Sequence, residues 1–278
     1  MGKVFLDDAL DEHLFRKGYA VFPLLDEQEI AELRRIFDEL GPDTERNFTI
    51  DSNSPEYKQK LSQSIERVIG PKMTRMLNGY TFLACNYVVK RPGGPLLSLH
   101  QDNAILDETK YTSVNTWIPL HDVDESNGCL TVVPESHLWC DYKRAFGDRL
   151  EDSPFRNVTK LLAEKFEKPV PMKGGHALVY HSCTMHGSTP NRTDQMRVVT
   201  LSASTPIGAP VIFHHRVSPD EIELFACAED FYYREMFVFT RPQFTPSLGV
   251  HKIHYREPYT EEEFLEMVKA KSPAQTVG

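Results

Sequence analysis

With 278 residues, 40% of them hydrophobic and 26% charged, the chain has enough apolar content for a sizeable core and suits one large domain or two small ones. A formal net charge of -9 excludes nucleic-acid or anionic-membrane binding through bulk charge, and no apolar run reaches membrane-spanning length. Cys85, Cys129, Cys140, Cys183 and Cys227 are odd in number and show no C-x-x-C spacing. Together with a start that lacks a long apolar region, they point to a reducing, cytoplasmic compartment.

The first 79 residues read as a helical layer. Residues 7–22 form a short helix running into a strand at 18–23. Asp26 caps a second helix over 27–40, in which Ile30, Leu33, Ile36, Phe37 and Leu40 keep helical spacing and which Gly41-Pro42 stops. Residues 43–55 are polar and turn-rich and read as a loop. A third helix covers 57–69, and a short fourth follows Pro71.

From Tyr80 the pattern turns to strands. One covers 81–90 and is broken by Arg91-Pro92-Gly93-Gly94-Pro95. Another runs through His100-Gln101-Asp102, followed by strands at 113–120 and, after an Asn127-Gly128 hairpin signal, at 129–133. Residues 137–168 are polar and too long for an ordinary connection, so they read as a lid or rim. Strands resume at 170–172, 177–181 and 196–204. In the tail, His214 and His215 lie past the last of these strands and read as solvated. A helix is expected around 220–231. The aromatic stretch with Phe231, Tyr232, Tyr233, Phe237 and Phe239 supplies candidate walls for a site, or else ordinary packing. Thr260 and Glu263 form a capping box for a last helix.

Several short strands, an N-terminal helical layer and no repeat predict a mainly β chain with flanking α, a double-sheet jelly roll. No linker divides it. We read residues 1–278 as one domain, with a helical buttress at 1–79, a β core at 80–206 and a C-terminal extension at 207–278.

The chemistry is concentrated in Ser98-Leu99-His100-Gln101-Asp102 and in Met185-His186-Gly187-Ser188 running on to Arg197. Residues two apart on a strand share a face, so His100 and Asp102 project an imidazole and a carboxylate together. A further histidine would complete a two-histidine, one-carboxylate set, which suits Fe(II) because it leaves positions open. Arg197, eleven residues after His186, could hold a distal carboxylate through two parallel hydrogen bonds.

In Leu99-His100-Gln101-Asp102, in Asn127-Gly128-Cys129-Leu130-Thr131-Val132-Val133-Pro134-Glu135-Ser136-His137, and in His186-Gly187-Ser188 with Asn191 and Arg197, residues 15–206 resemble the phytanoyl-CoA dioxygenase family. The resemblance implies a double-stranded β-helix (jelly roll, cupin-like) and a dioxygenase that uses Fe(II), 2-oxoglutarate and O2, with ascorbate as an activity-sustaining reductant. It implies His100, Asp102 and His186 as catalytic metal ligands and Arg197 as the anchor of the 2-oxoglutarate 5-carboxylate. By the same likeness Ser188 supports that carboxylate, Trp117 lies beside the cosubstrate, and Asn86 faces inward toward cosubstrate or substrate. His181, on the strand before His186, is a candidate to support a metal ligand, and His137 reads as structural. His176 stands where the family usually has an acid.

The expected reaction is hydroxylation of an unactivated C–H bond of a small or mid-sized metabolite, with natural-product biosynthesis as a candidate setting and with release of succinate and CO2. Desaturation, cyclisation and epoxidation stay open. Asp102 disfavours halogenation, because related halogenases carry Gly or Ala there. The competing readings are a jelly-roll protein that binds a small molecule without chemistry, a Zn(II) hydrolase or isomerase, and an oxygenase of protein side chains. The expected partner is a small-molecule substrate, with no nucleic acid and no membrane; the oligomeric state stays open.

Overall fold

The computed structural model describes residues 2–236, 240–253 and 257–271. Its N-terminal layer holds helices α1 (Asp8–Lys17), α2 (Glu27–Leu40) and α3 (Pro55–Met76). Asp26 and Glu29 form a reciprocal capping box at the start of α2. The expected break near residue 70 does not occur: α3 runs through Pro71. Proline forfeits one intrahelical hydrogen bond, but buried Ile65, Ile69 and Met73 anchor both sides against the sheet, and packing outweighs the local penalty.

Among the described residues the strands are, in chain order, β1 (Tyr19–Pro23), β2 (Tyr80–Lys90), β3 (Leu97–His100), β4 (Val114–Pro119), β5 (Leu130–Val132), β6 (Lys168–Pro169), β7 (His176–His181), β8 (His186–Ser188), β9 (Arg197–Pro206), β10 (Ile212–Ser218), β11 (Glu221–Ala226) and β12 (Ser247–Lys252). A five-stranded antiparallel sheet has the order β1-β7-β4-β9-β2, and a four-stranded one β3-β8-β5-β6. Strand alternation sorts the side chains of the larger sheet. Tyr87, Val89, Ile118, Ala177 and Val179 pack against the helices. Val88, Trp117, Leu178, Tyr180 and Val199 point the other way and meet Leu130 and Val132 of the smaller sheet. This is the double-stranded β-helix, with the three N-terminal helices against the outer face of the larger sheet.

Three other expectations are corrected. Asn127-Gly128 does not make a hairpin, because β4 and β5 belong to different sheets and the turn carries the chain between them. Gly128 sits there at φ +94 in the left-handed region, and a Cβ would lie 2.8 Å from Lys90 Cδ. The helix expected around 220–231 is largely β11, followed only by the short helix Phe231–Arg234. Ile222, Leu224 and Phe225 are buried there, and pairing with β10 and β12 decides the conformation of this short apolar run. Finally, residues 137–168, expected as a lid or rim, have a core of their own and meet the site only as rim. They coil through the short turns Ser136–Trp139, Leu150–Asp152, Thr159–Leu161 and Leu162–Phe166 around this core. That core includes Trp139, Phe155 and Leu162, and it is closed by Phe264 of the capped C-terminal helix Glu261–Lys271. Only residues near 145–151 reach the cavity described below.

Phe264 is fully buried, with ring centroids 5.5 Å from Trp139 and 5.5 Å from Phe166. Phe264→Ala should therefore cost about 3–5 kcal/mol, measured as a lower urea midpoint with unchanged slope. A loss near zero would show that the C-terminal helix does not support the 137–168 segment.

Candidate active site

His100 ends β3 and His186 begins β8, and these two residues face each other in the β3–β8 register. Their ring centroids are 4.3 Å apart. Asp102 lies just past the end of β3, in irregular chain rather than in the strand as expected, yet it joins the same cluster. One ligand atom from each of His100, Asp102 and His186 lies within 4.8 Å of the others, a spacing that one metal ion could bridge. His186 Nε2 is 3.8 Å from Asp102 Oδ2.

Each imidazole is oriented from behind in the same way. His100 Nδ1 meets the Ser98 carbonyl at 3.0 Å, and His186 Nδ1 meets the Thr184 carbonyl at 2.9 Å. A carbonyl can only accept, so each Nδ1 carries the proton, which leaves Nε2 as the nitrogen that would bind a metal. Burial, with the neighbouring His100 as a lesser cause, lowers the pKa of His186 to about 4 and keeps it neutral. Asn115 Nδ2 donates to Asp102 Oδ2 at 2.6 Å. The Tyr180 hydroxyl lies 3.4 Å from His186 Nε2; burial, then the Asp102 charge, holds its pKa well above the phenol range.

These groups open into a cavity of about 660 Å³. Trp117, Ser188 and Arg197 line it along with the three clustered residues. Arg197 is 3% exposed, and its Nε has no hydrogen-bond partner. Its guanidinium carbon lies 5.5 Å from the centroid of the Trp117 ring. Burial lowers its pKa to about 10, which leaves it cationic at neutral pH. An isolated buried cation costs several kcal/mol unless something negative meets it, so this cavity suits a carboxylate. Phe48, Ile50, Leu97, Phe146 and Met236 give it apolar walls.

The structure thus brings His100, Asp102, His186, Ser188, Trp117 and Arg197 to one cavity. Asn86 is not part of that wall; its Nδ2 donates to the Leu201 carbonyl at 3.1 Å, within the sheet. His181 does not support the cluster. It faces the helix side with His137, and its Nδ1 accepts from the Cys183 amide at 3.0 Å. His137 is structural, its Nε2 2.8 Å from the Phe15 carbonyl. His214 is buried at 4% exposure rather than solvated, because β10 continues through it. Phe231 and Tyr232 pack in a core beside Phe213 and Phe225, while Phe237 and Phe239 lie outside the described residues.

Asn115 and Tyr180 escaped the sequence reading. Asn115 carries a strand-parity signal, two before Trp117, whereas Tyr180 is set beside it only by the β4–β7 pairing. Phe48 and Ile50, from the stretch read only as a loop, gave no periodic signal at all.

The phytanoyl-CoA dioxygenase (PhyH) family model matches residues 15–199, well over half of the chain. The chain belongs to this family. Phytanoyl-CoA dioxygenase 1 of Oryza sativa subsp. japonica is 31% identical over 106 residues, 38% of this chain and 37% of that protein. The chain spans less than two thirds of the length of the curated relatives it matches, from 37% to 64%. Among solved structures, the non-heme alpha ketoglutarate dependent carbocyclase SnoK from nogalamycin biosynthesis aligns with a TM-score of 0.54 and 19% identity, over 76% of this chain and 89% of that one. HygX from Streptomyces hygroscopicus, with nickel and 2-oxoglutarate bound, gives 0.54 and 16% identity over 73% and 88%. At these identities the likeness establishes the shared fold of this family member. Among the described residues, no helix is long and apolar enough to cross a membrane.

Two outcomes test this geometry. Removing the amide that holds Asp102, in Asn115→Ala, should weaken Mn(II) binding by roughly 10–100-fold, read by calorimetric titration; unchanged affinity would show that the contact does not orient the carboxylate. The second concerns pH. Burial, with the charge of His137 as a lesser cause, lowers the pKa of His181 from 6.5 to about 3. Above pH 6.5 the residue is neutral in both folded and unfolded chains and adds no pH dependence. As pH falls below 6.5 the unfolded chain takes up a proton that the folded protein refuses, so stability drops until the folded site titrates near pH 3. His181→Gln should flatten the stability slope between pH 6.5 and pH 5, measured by urea unfolding; an unaltered slope would exclude His181 as its source.

Proposed function

We propose that the chain is an Fe(II)- and 2-oxoglutarate-dependent dioxygenase that acts on a small or mid-sized, partly apolar metabolite. Hydroxylation of an unactivated C–H bond is the simplest outcome. The observation that carries this reading is the pairing, in one cavity, of a His-Asp-His cluster with a buried arginine whose Nε lacks a partner. His100, Asp102 and His186 would hold the metal, with both imidazoles oriented through Nδ1 and the carboxylate fixed by Asn115. Bound iron, with 2-oxoglutarate and O2, supplies an oxidant for C–H bonds as the cosubstrate is converted to succinate and CO2.

The chain's own contribution is placement and exclusion of water. Arg197 would take the distal carboxylate in a fork of parallel hydrogen bonds, and Trp117 would hold the guanidinium plane. Phe48, Ile50, Phe146 and Met236 would seat an apolar substrate body. The family membership and the HygX structure with 2-oxoglutarate bound support the cofactor assignment, and the SnoK likeness supports natural-product biosynthesis as a setting. SnoK is described as a carbocyclase, so ring closure stands as the second reading. A binding protein without chemistry would have no use for the aligned cluster, and a Zn(II) hydrolase would have none for Arg197. We take residues 1–278 as one functional unit.

The deciding experiment is O2-dependent succinate formation by anaerobically purified protein given Fe(II), 2-oxoglutarate and ascorbate, with a panel of candidate metabolites. Substrate-stimulated succinate is the expected result. Asp102→Ala should abolish it. Arg197→Ala should raise the KM for 2-oxoglutarate at least about tenfold with little change in KM for the metabolite, and a change confined to the metabolite would overturn the anchor assignment.

A further inference from the structure

Lys90 ends β2 and faces Arg197 in the β2–β9 register, so two cationic residues lie opposite each other on adjacent strands. Lys90 is 5% exposed. Its Nζ donates to Ser188 Oγ at 2.7 Å and to the Thr189 carbonyl at 2.6 Å, with the Ser188 carbonyl at 3.4 Å. Among the described residues, no carboxylate perturbs Lys90 or Arg197; burial and their mutual repulsion dominate for Lys90, and burial dominates for Arg197. Gly128 closes on both. A Cβ there would lie 2.8 Å from Lys90 Cδ and 3.6 Å from Arg197 Nε, so the lysine stem has little room to swing away.

An ammonium has donors and no acceptor. The Lys90–Ser188 bond therefore consumes a lone pair of Ser188 Oγ and leaves the serine proton to point elsewhere. Ser188 lines the cavity together with Arg197. Two uncompensated buried charges are costly, and both are relieved by one anionic group placed where the serine proton and the guanidinium converge.

Resting on the oxygenase reading above, we propose that Lys90 is a positioning residue for the distal carboxylate of the cosubstrate: it turns the Ser188 hydroxyl toward the cavity and adds a second positive charge that selects a dicarboxylic 2-oxo acid over a monocarboxylic one. Lys90 acts through Ser188 and is not itself part of the cavity wall.

Calorimetric titration of the Mn(II)-loaded full chain with 2-oxoglutarate and with 2-oxobutyrate, which lacks the distal carboxylate, tests this without turnover. Lys90→Met should weaken 2-oxoglutarate binding by roughly tenfold and leave 2-oxobutyrate within about twofold. Lys90→Arg should restore much of the loss. Ser188→Ala, a smaller change that keeps the proposal testable should Lys90→Met misfold, should reproduce the selective loss. The double variant should lose less than the product of the two singles, because both remove one linked interaction. Equal weakening of both acids would mark Lys90 as merely structural and overturn the proposal, as would wild-type affinity in Lys90→Met. Failure of the wild-type protein to bind 2-oxoglutarate at all would instead overturn the oxygenase reading.

Discussion

The site depends on the pairing of β3 with β8. That short antiparallel contact sets His100 opposite His186, and their shared environment does the rest. Each ring is fixed by a carbonyl two residues earlier in its own chain, so the tautomer is decided locally while the distance between the rings is decided by the sheet. Gly187 makes the approach possible, because a Cβ at that position would lie 2.5 Å from the Leu97 carbonyl. A register slip by one residue would turn one imidazole to the opposite face.

The larger sheet contributes what the smaller one lacks. Its inward face delivers Asn115 and Trp117 from β4, Tyr180 from β7 and Arg197 from β9, and its outward face is buried beneath the helices. The helical layer therefore serves the site indirectly, by fixing which face of the sheet turns inward. The cluster also has support on its far side. Arg144 is buried at 2% exposure and donates to the Asp102 carbonyl at 2.6 Å and to Glu108 at 2.6 Å. Gln101 donates to the Cys183 carbonyl at 2.5 Å. The segment expected to be a lid or rim thus also braces the chain that carries Asp102.

Electrostatically the cavity is divided. The cluster of His100, Asp102 and His186 offers lone pairs, whereas the Arg197 and Lys90 region offers donors and uncompensated positive charge. A metal ion held by the cluster and a carboxylate met by the guanidinium would answer the two regions. The apolar wall between these polar groups lowers the local dielectric, which strengthens both attractions and raises the cost of leaving either region empty of its complement.

Motif chemistry and periodicity were legible in the chain itself. Spacing put His100 and Asp102 together, the family resemblance singled out His186 and Arg197, and most strands were legible from alternation and the helices after Asp26 and Thr260 from their caps, because alternation and caps are local signals. Tertiary structure decided what local rules leave degenerate. Pro71 stays within a helix because packing on both sides outweighs a lost hydrogen bond, and residues 221–226 pair as a strand because β10 and β12 flank them. Asn115, Tyr180, Phe48 and Lys90 acquire their places only when two sheets close on one another. Each is an ordinary residue in its own segment: Lys90 meets Ser188 across 98 residues of chain, and Asn115 and Tyr180 are set side by side by the pairing of β4 with β7.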